Sequence, residues 1–122
     1  MKKILFIEDE FTLQETMGKF LEREGYKIIH ALDGKIGLQL AKKEKPDLIL
    51  LDLVLPKLSG FEVLKKIKED EKIQNTPVIV LTNLGSSEDI KKILELGATT
   101  FLIKADQNLK DIAEKIKYAL KE

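Results

Sequence analysis

Asp47-Leu48-Ile49-Leu50-Leu51-Asp52-Leu53-Val54-Leu55-Pro56 is the stretch that decides the fold. Leu48 to Leu51 is an unbroken apolar run of strand length with no alternation, the pattern of a strand covered on both faces in a parallel sheet. The run ends on a carboxylate, Asp52, and Pro56 and Gly60 then mark a loop before the next helix. In open α/β sheets ligands bind just outside the carboxyl ends of the strands. A carboxylate at that place is either a capping or solvated loop residue or the centre of a site, and the stretch alone leaves both readings open.

Working outward, the same grammar repeats on both sides. Lys3 to Glu8 reads as an apolar strand that ends in acid, Glu8-Asp9-Glu10. Thr12 reads as the N-cap of the following helix, with Glu15 in capping-box position. Leu13, Met17, Phe20 and Leu21 form its apolar face and Gly25 closes it. Tyr26 to Ala31 is a second strand, and Asp33-Gly34 turns into a helix through Ile36, Leu40 and Ala41. Past Gly60, Phe61 to Glu69 carries Val63, Leu64 and Ile67 on one side, and the polar segment Asp70 to Thr76 reads as a loop. Pro77 to Thr82 is another doubly buried strand, with proline at its tolerated first position. Ser86 or Ser87 caps a helix through Ile90, Ile93 and Leu94 that ends at Gly97. Thr99 to Ile103 is the last strand, Lys104 follows it, and Leu109 to Leu120 is an amphipathic helix.

Five strand–helix units with short connections imply an α/β fold: a doubly wound five-stranded parallel sheet, right-handed crossovers and helices on both faces. At 122 residues, residues 1–122 read as a single domain with no room for a second. With 43% hydrophobic and 34% charged residues the composition is that of a globular protein. Lys plus Arg and Asp plus Glu number 21 each, so no bulk field draws the chain to nucleic acid or an acidic membrane, and no basic patch argues for either. Absence of cysteine removes disulfides, thiolate nucleophiles and Cys-ligated zinc together. The apolar run after Met1-Lys2-Lys3 stops at Glu8, too short for a signal peptide, and the expectation is a cytoplasmic protein.

In a parallel sheet all strand C-termini share one edge. That edge collects Glu8 and Asp9, Asp52, Thr82 and Lys104 from four strands. Clustered carboxylates raise one another's pKa unless a cation compensates. An all-oxygen set suits Mg²⁺, which takes few protein ligands and keeps its waters. The lysine and hydroxyl then read as partners of an anion that shares the metal, which is a phosphoryl-transfer layout.

The chain resembles, over essentially its whole length, the receiver domains of two-component response regulators. The residues carrying the resemblance are Glu8-Asp9, Asp52 with Pro56 and Gly60 downstream, Thr82, Gly97-Ala98 and Lys104. It implies strand order 2-1-3-4-5, a flavodoxin-like three-layer sandwich, with the site at the switch point between strands one and three. It implies Asp52 as phosphoacceptor from the phosphohistidine of a sensor histidine kinase or phosphotransfer protein. Asp9 would bind Mg²⁺ directly, Glu8 through water, and Asp52 and the Val54 backbone carbonyl would complete the set. Lys104 and Thr82 would hold the phosphoryl group. Phe101, on pattern alone a core residue, matches the family's switch aromatic, and the resemblance assigns the surface of helix four, strand five and helix five to a downstream partner. A stand-alone receiver, monomeric or weakly dimeric, is the expectation.

Two positions depart from the family pattern, and two variable positions beside the site are apolar. Ala105 stands where proline usually forms a cis peptide, and a non-proline cis bond costs about 2.5–4 kcal/mol, so a trans Lys104–Ala105 bond is expected. Asn83 follows Thr82 where a very small residue is usual. Val54 and Leu84, positions that modulate water access in the family, are both apolar, which predicts a long-lived phospho-form. Two other functions compete: an Mg²⁺-dependent phosphohydrolase working through aspartyl phosphate, which needs an acid where Val54 stands, and a receiver-like binding module without phosphorylation. His30, in strand two, reads as structural. Lys42-Lys43-Glu44-Lys45 and the helix-four residues Lys91, Lys92 and Glu95 read as solvated surfaces.

Overall fold

The computed structural model describes residues 1–122. Its elements are β1 (Lys3–Ile7), α1 (Phe11–Arg23), β2 (Lys27–Ala31), α2 (Gly34–Glu44), β3 (Leu48–Leu51), α3 (Gly60–Glu69), β4 (Val78–Thr82), α4 (Ser87–Glu95), β5 (Thr100–Ile103) and α5 (Leu109–Ala119), with a 3₁₀ turn at Lys104–Asp106. All neighbouring strands pair in parallel in the order β2-β1-β3-β4-β5. No helix is long and apolar enough to cross a membrane.

Successive side chains of a strand point to opposite faces, so a sheet covered twice needs apolar residues at every position. That is what β1, β3 and β4 supply. Ile4, Phe6, Leu48, Leu50, Ile79 and Leu81 pack with Met17 and Leu21 of α1 and Ile112 and Ile116 of α5. Leu5, Ile7, Ile49, Leu51, Val78 and Val80 pack on the other side with Val63, Leu64 and Ile67 of α3 and Ile93 of α4. Each of these central-strand residues is at most 1% exposed. Burying a side chain of this size is worth about 1.5–3 kcal/mol, so the sheet's middle is its most strongly held part.

Side chains start four of the five helices. Asp33, Ser59, Ser86 and Asn108 each accept a hydrogen bond from the backbone N–H three residues on, at 2.7, 3.2, 3.1 and 2.8 Å. Gly25 and Gly97 follow α1 and α4 with φ of 100° and 99°.

The fifth helix start corrects an expectation. Thr12 does not cap α1: the helix begins at Phe11, Glu10 stands at the cap with no side-chain bond, and the Gln14 N–H donates to the Glu10 carbonyl at 3.0 Å. Gln14 is the reason. Its side chain is buried against the ends of β1 and β2, which draws the first turn close to the sheet and leaves Thr12 inside the helix. Two apolar faces are also narrower than the periodicity suggests. In α4 only Ile93 is buried and Leu94 is 49% exposed, and in α2 Ile36 is 44% exposed. Within the expected loop after α3, Ile73 is buried and the Lys68 ammonium donates to the carbonyls of Gln74 and Thr76, both at 3.1 Å.

Candidate functional site

The short connections after β1, β3, β4 and β5 bring Glu8, Asp9, Asp52, Thr82 and Lys104 to one edge of the sheet, while Phe101 stays within β5. Asp52 immediately follows β3, and its backbone N–H is still held by the Ile7 carbonyl of β1 at 3.1 Å, so its position is inherited from the sheet. Its carboxylate is 6% exposed for the residue as a whole. One oxygen accepts from the Leu53 N–H at 2.8 Å and the other from the Lys104 ammonium at 3.0 Å. Lys104 also contacts the carboxylate of Glu8 directly. The other Glu8 oxygen accepts from the Glu10 N–H at 3.2 Å. Asp9 is exposed beside them. Carboxylate oxygens of Glu8, Asp9 and Asp52 lie within 4.8 Å of one another.

Electrostatics follow from that crowding. Glu8 is 1% exposed, and burial above all pushes its carboxyl up to about 7; the Lys104 contact opposes this and the charge of Asp52 adds to it. Burial pulls the Lys104 ammonium down, but its bonds to Glu8 and Asp52 outweigh that and hold its pKa above the usual lysine value. Once Glu8 is ionised, three carboxylates against one ammonium leave the edge two charges negative. An all-oxygen donor set with that deficit fits a hard divalent cation such as Mg²⁺.

Beyond Asp52 opens a cavity of about 250 Å³ lined by Asp52, Val54, Thr82, Asn83, Leu84 and Lys104. Thr82 is fully buried, and its hydroxyl accepts from the Leu84 N–H at 3.3 Å, so it is engaged with the β4–α4 connection. The Val54 side chain is 61% exposed at the rim. Ala105 is exposed on the 3₁₀ turn, and the Lys104–Ala105 bond is trans, as are all peptide bonds of the chain. Phe101 lies half-buried on β5, paired with Val80, and packs against the core on the α4 side.

Two further residues shape the edge. Gly60 opens α3 against the backbone of Asp52: a Cβ there would lie inside contact distance of the Asp52 carbonyl oxygen and 2.5 Å from Leu53 Cα, and the Gly60 N–H donates to the Leu53 carbonyl at 2.9 Å. Gly60→Ala is expected to cost about 1–3 kcal/mol by forced backbone movement, read as a lower denaturation midpoint, although alanine is the better helix former. Gln14, 3% exposed, is the residue that periodicity missed. The available signal was a polar residue on the buried stripe Gln14, Met17, Gly18, Leu21.

Comparison with known proteins agrees with this geometry. The pattern of the response regulator receiver domain family matches residues 4–117. The alkaline phosphatase synthesis transcriptional regulatory protein PhoP of Bacillus subtilis is 42% identical over 105 residues, covering 84% of this chain and 42% of PhoP. The sporulation initiation phosphotransferase F of the same organism is 35% identical over 103 residues, covering 84% of this chain and 82% of that protein. The crystal structure of a CheY-like response regulator receiver domain protein from Methanospirillum hungatei superposes with a TM-score of 0.93 at 30% identity, covering 99% of this chain and 94% of that one. The chain spans under half the length of several curated relatives it matches, 39% to 43% of theirs.

Proposed function

The chain belongs to the response regulator receiver domain family, and from that premise we propose that it is a phosphorylation-driven switch with Asp52 as its acceptor. The observation that carries the reading is the Asp52 carboxylate itself: nearly buried at a strand end, 3.0 Å from a lysine, and facing an open cavity beside two further acids.

In the proposed reaction an Asp52 carboxylate oxygen forms the bond to phosphorus while the bond from phosphorus to the donor breaks. From a histidine kinase or phosphotransfer protein the leaving group is an imidazole nitrogen, which keeps the electron pair and takes up a proton. Glu8, Asp9, Asp52 and the Val54 carbonyl are the residues to hold Mg²⁺, which when bound supplies charge neutralisation for the phosphoryl oxygens. Lys104 is already bonded to Asp52 and meets the same oxygens with a full positive charge. The Thr82 hydroxyl turns from the Leu84 N–H to a phosphoryl oxygen, which frees the β4–α4 connection. Phe101 moves inward behind it, and the face of α4, β5 and α5 changes shape for a downstream protein. The shift is worth only the differential contacts of the phosphoryl group.

A phosphohydrolase on such a sheet needs a general acid or base two residues after its nucleophile, and that position holds the exposed, apolar Val54. The test is intact mass after incubation with acetyl phosphate. Wild type is expected to gain one phosphoryl group with Mg²⁺ and none without it. No gain in either condition, or steady phosphate release from a generic phosphomonoester, overturns the reading.

Leu84 and Val54 are the two apolar residues of the cavity lining and offer an attacking water no hydrogen-bond partner. Leu84→Glu is therefore expected to shorten the phospho-form's half-life about tenfold, a barrier change of about 1.4 kcal/mol. A wild-type half-life of seconds that Leu84→Glu leaves unchanged defeats this expectation.

A further inference from the structure

The β1–α1 connection carries two of the three acids, and within it the Glu8 carboxylate holds only the Glu10 N–H, at 3.2 Å, which leaves the Glu8–Asp9 peptide to other groups. Gln14 holds it from below. Its side-chain amide nitrogen lies at hydrogen-bond distance from the carbonyls of Phe6 at 2.8 Å, Ala31 at 2.9 Å and Glu8 at 3.1 Å, which share its two hydrogens. The Ala31 carbonyl also accepts the Glu8 N–H at 3.0 Å. Glu8 is thus held at both ends of its backbone, by its N–H through Ala31 and by its carbonyl through Gln14. The Glu8 carbonyl belongs to the peptide plane that leads into Asp9, so fixing it fixes the direction in which Asp9 leaves the strand.

An amide can bind three carbonyls only if its nitrogen, not its oxygen, faces them. The three carbonyls thus turn the amide oxygen toward His30. Its Nδ1 lies 2.5 Å from the Gln14 Oε1, and because an amide oxygen only accepts, the imidazole proton is on Nδ1. Gly18 lets the ring lie against α1, where a Cβ would come 2.7 Å from its Cε1. His30 and Gln14 form a polarised chain of donors that ends on the Glu8 carbonyl and runs from the edge strand to the acids.

We propose that Gln14 and His30 are positioning residues for the acidic pair, Gln14 fixing the Glu8–Asp9 peptide and His30 fixing the Gln14 amide. Partners of this kind set ligand direction without touching the ion, and losing one costs about 10–100-fold in metal affinity. The inference rests on the reading of Glu8 and Asp9 as cation ligands given above.

Mg²⁺ titration followed by backbone amide shifts tests it, beside the rate of phosphoryl uptake from acetyl phosphate at low and at saturating Mg²⁺. Gln14→Met keeps the length and removes all four bonds; it is expected to weaken Mg²⁺ about tenfold and to slow uptake at low Mg²⁺ far more than at saturation. A residue that merely filled space would lower the melting temperature and leave the Mg²⁺ affinity alone. His30→Val is a good fit to an edge strand and keeps the test alive if Gln14→Met fails to fold. It is expected to weaken Mg²⁺ about threefold, while His30→Asn, which places an N–H where Nδ1–H was, restores wild-type affinity. Mg²⁺ affinities within about twofold of wild type in both Gln14→Met and His30→Val, or equal losses in His30→Val and His30→Asn, overturn the inference. A wild type that binds no Mg²⁺ overturns the site reading and this inference with it.

Discussion

Asp52→Asn is expected to abolish phosphoryl uptake from acetyl phosphate and from any histidine donor, with no increment in intact mass under conditions that convert the wild type. The loss is complete because no neighbouring group is a substitute nucleophile in the same place. Glu8 is 1% exposed and tied to Lys104 and to the Glu10 N–H, and Asp9 lies outside the cavity that Asp52, Thr82 and Lys104 line. The asparagine is isosteric and its carbonyl oxygen can still accept the Leu53 N–H, as the Asp52 oxygen does at 2.8 Å. The fold is therefore retained, and an unchanged circular dichroism spectrum separates lost chemistry from lost structure. The substitution also removes one negative charge from a trio whose oxygens lie within 4.8 Å, so Mg²⁺ affinity is expected to fall along with reactivity. Phosphorylation persisting in Asp52→Asn at the wild-type extent identifies another acceptor and defeats the assignment.

How much of this was legible before the structure depends on what each residue answers to. Leu48 to Leu51 and Val78 to Leu81 are apolar at every position because both faces of the sheet are covered, and that constraint is written in consecutive residues. Once the strands are parallel, the ends of β1, β3, β4 and β5 must share an edge, so Glu8, Asp52, Thr82 and Lys104 come together by topology alone. Side-chain choices governed by a distant partner were not legible. Thr12 has the chemistry of an N-cap, but the start of α1 is decided by Gln14 reaching carbonyls of β1 and β2. Ile73 sits in a polar segment yet is buried beneath it. Periodicity overestimated the buried faces of α2 and α4, because it counts apolar residues and not the area available to receive them; Ile36 and Leu94 remain half exposed. Gly60 read as a loop marker, whereas its missing Cβ is what lets α3 begin against the Asp52 backbone.

Glu8 carries the largest expected effect on stability, and its sign is opposite to that of ordinary acid denaturation. In the unfolded chain its carboxyl loses its proton near the ordinary value of 4.5, whereas in the folded protein burial, reinforced by Asp52, keeps the proton on until about 7. Between those values the native state binds more protons than the unfolded state, so its stability falls as pH rises. Below the lower value both states are protonated and the group contributes no difference; above the upper value both are ionised and the cost is constant. Raising a carboxyl from 4.5 to about 7 corresponds to about 3 kcal/mol of stability lost across that window in metal-free protein. For a domain of this size such a loss lowers the melting temperature by about 10 °C. Glu8→Gln keeps the neutral shape at every pH. It is expected to match the wild type at about pH 4 and to be the more stable of the two at about pH 8. Mg²⁺ works against the same cost in the wild type, because an ion bound only by the folded state adds stability in proportion to the logarithm of its concentration. It should therefore narrow the gap at about pH 8, because Glu8→Gln, left with Asp9 and Asp52, gains less from the ion. Chemical denaturation of both proteins across this range, with and without Mg²⁺, measures the difference directly. A gap between the two proteins that does not change with pH would show that the buried Glu8 carboxylate is fully compensated by Lys104, and that the edge does not depend on an added cation for its stability.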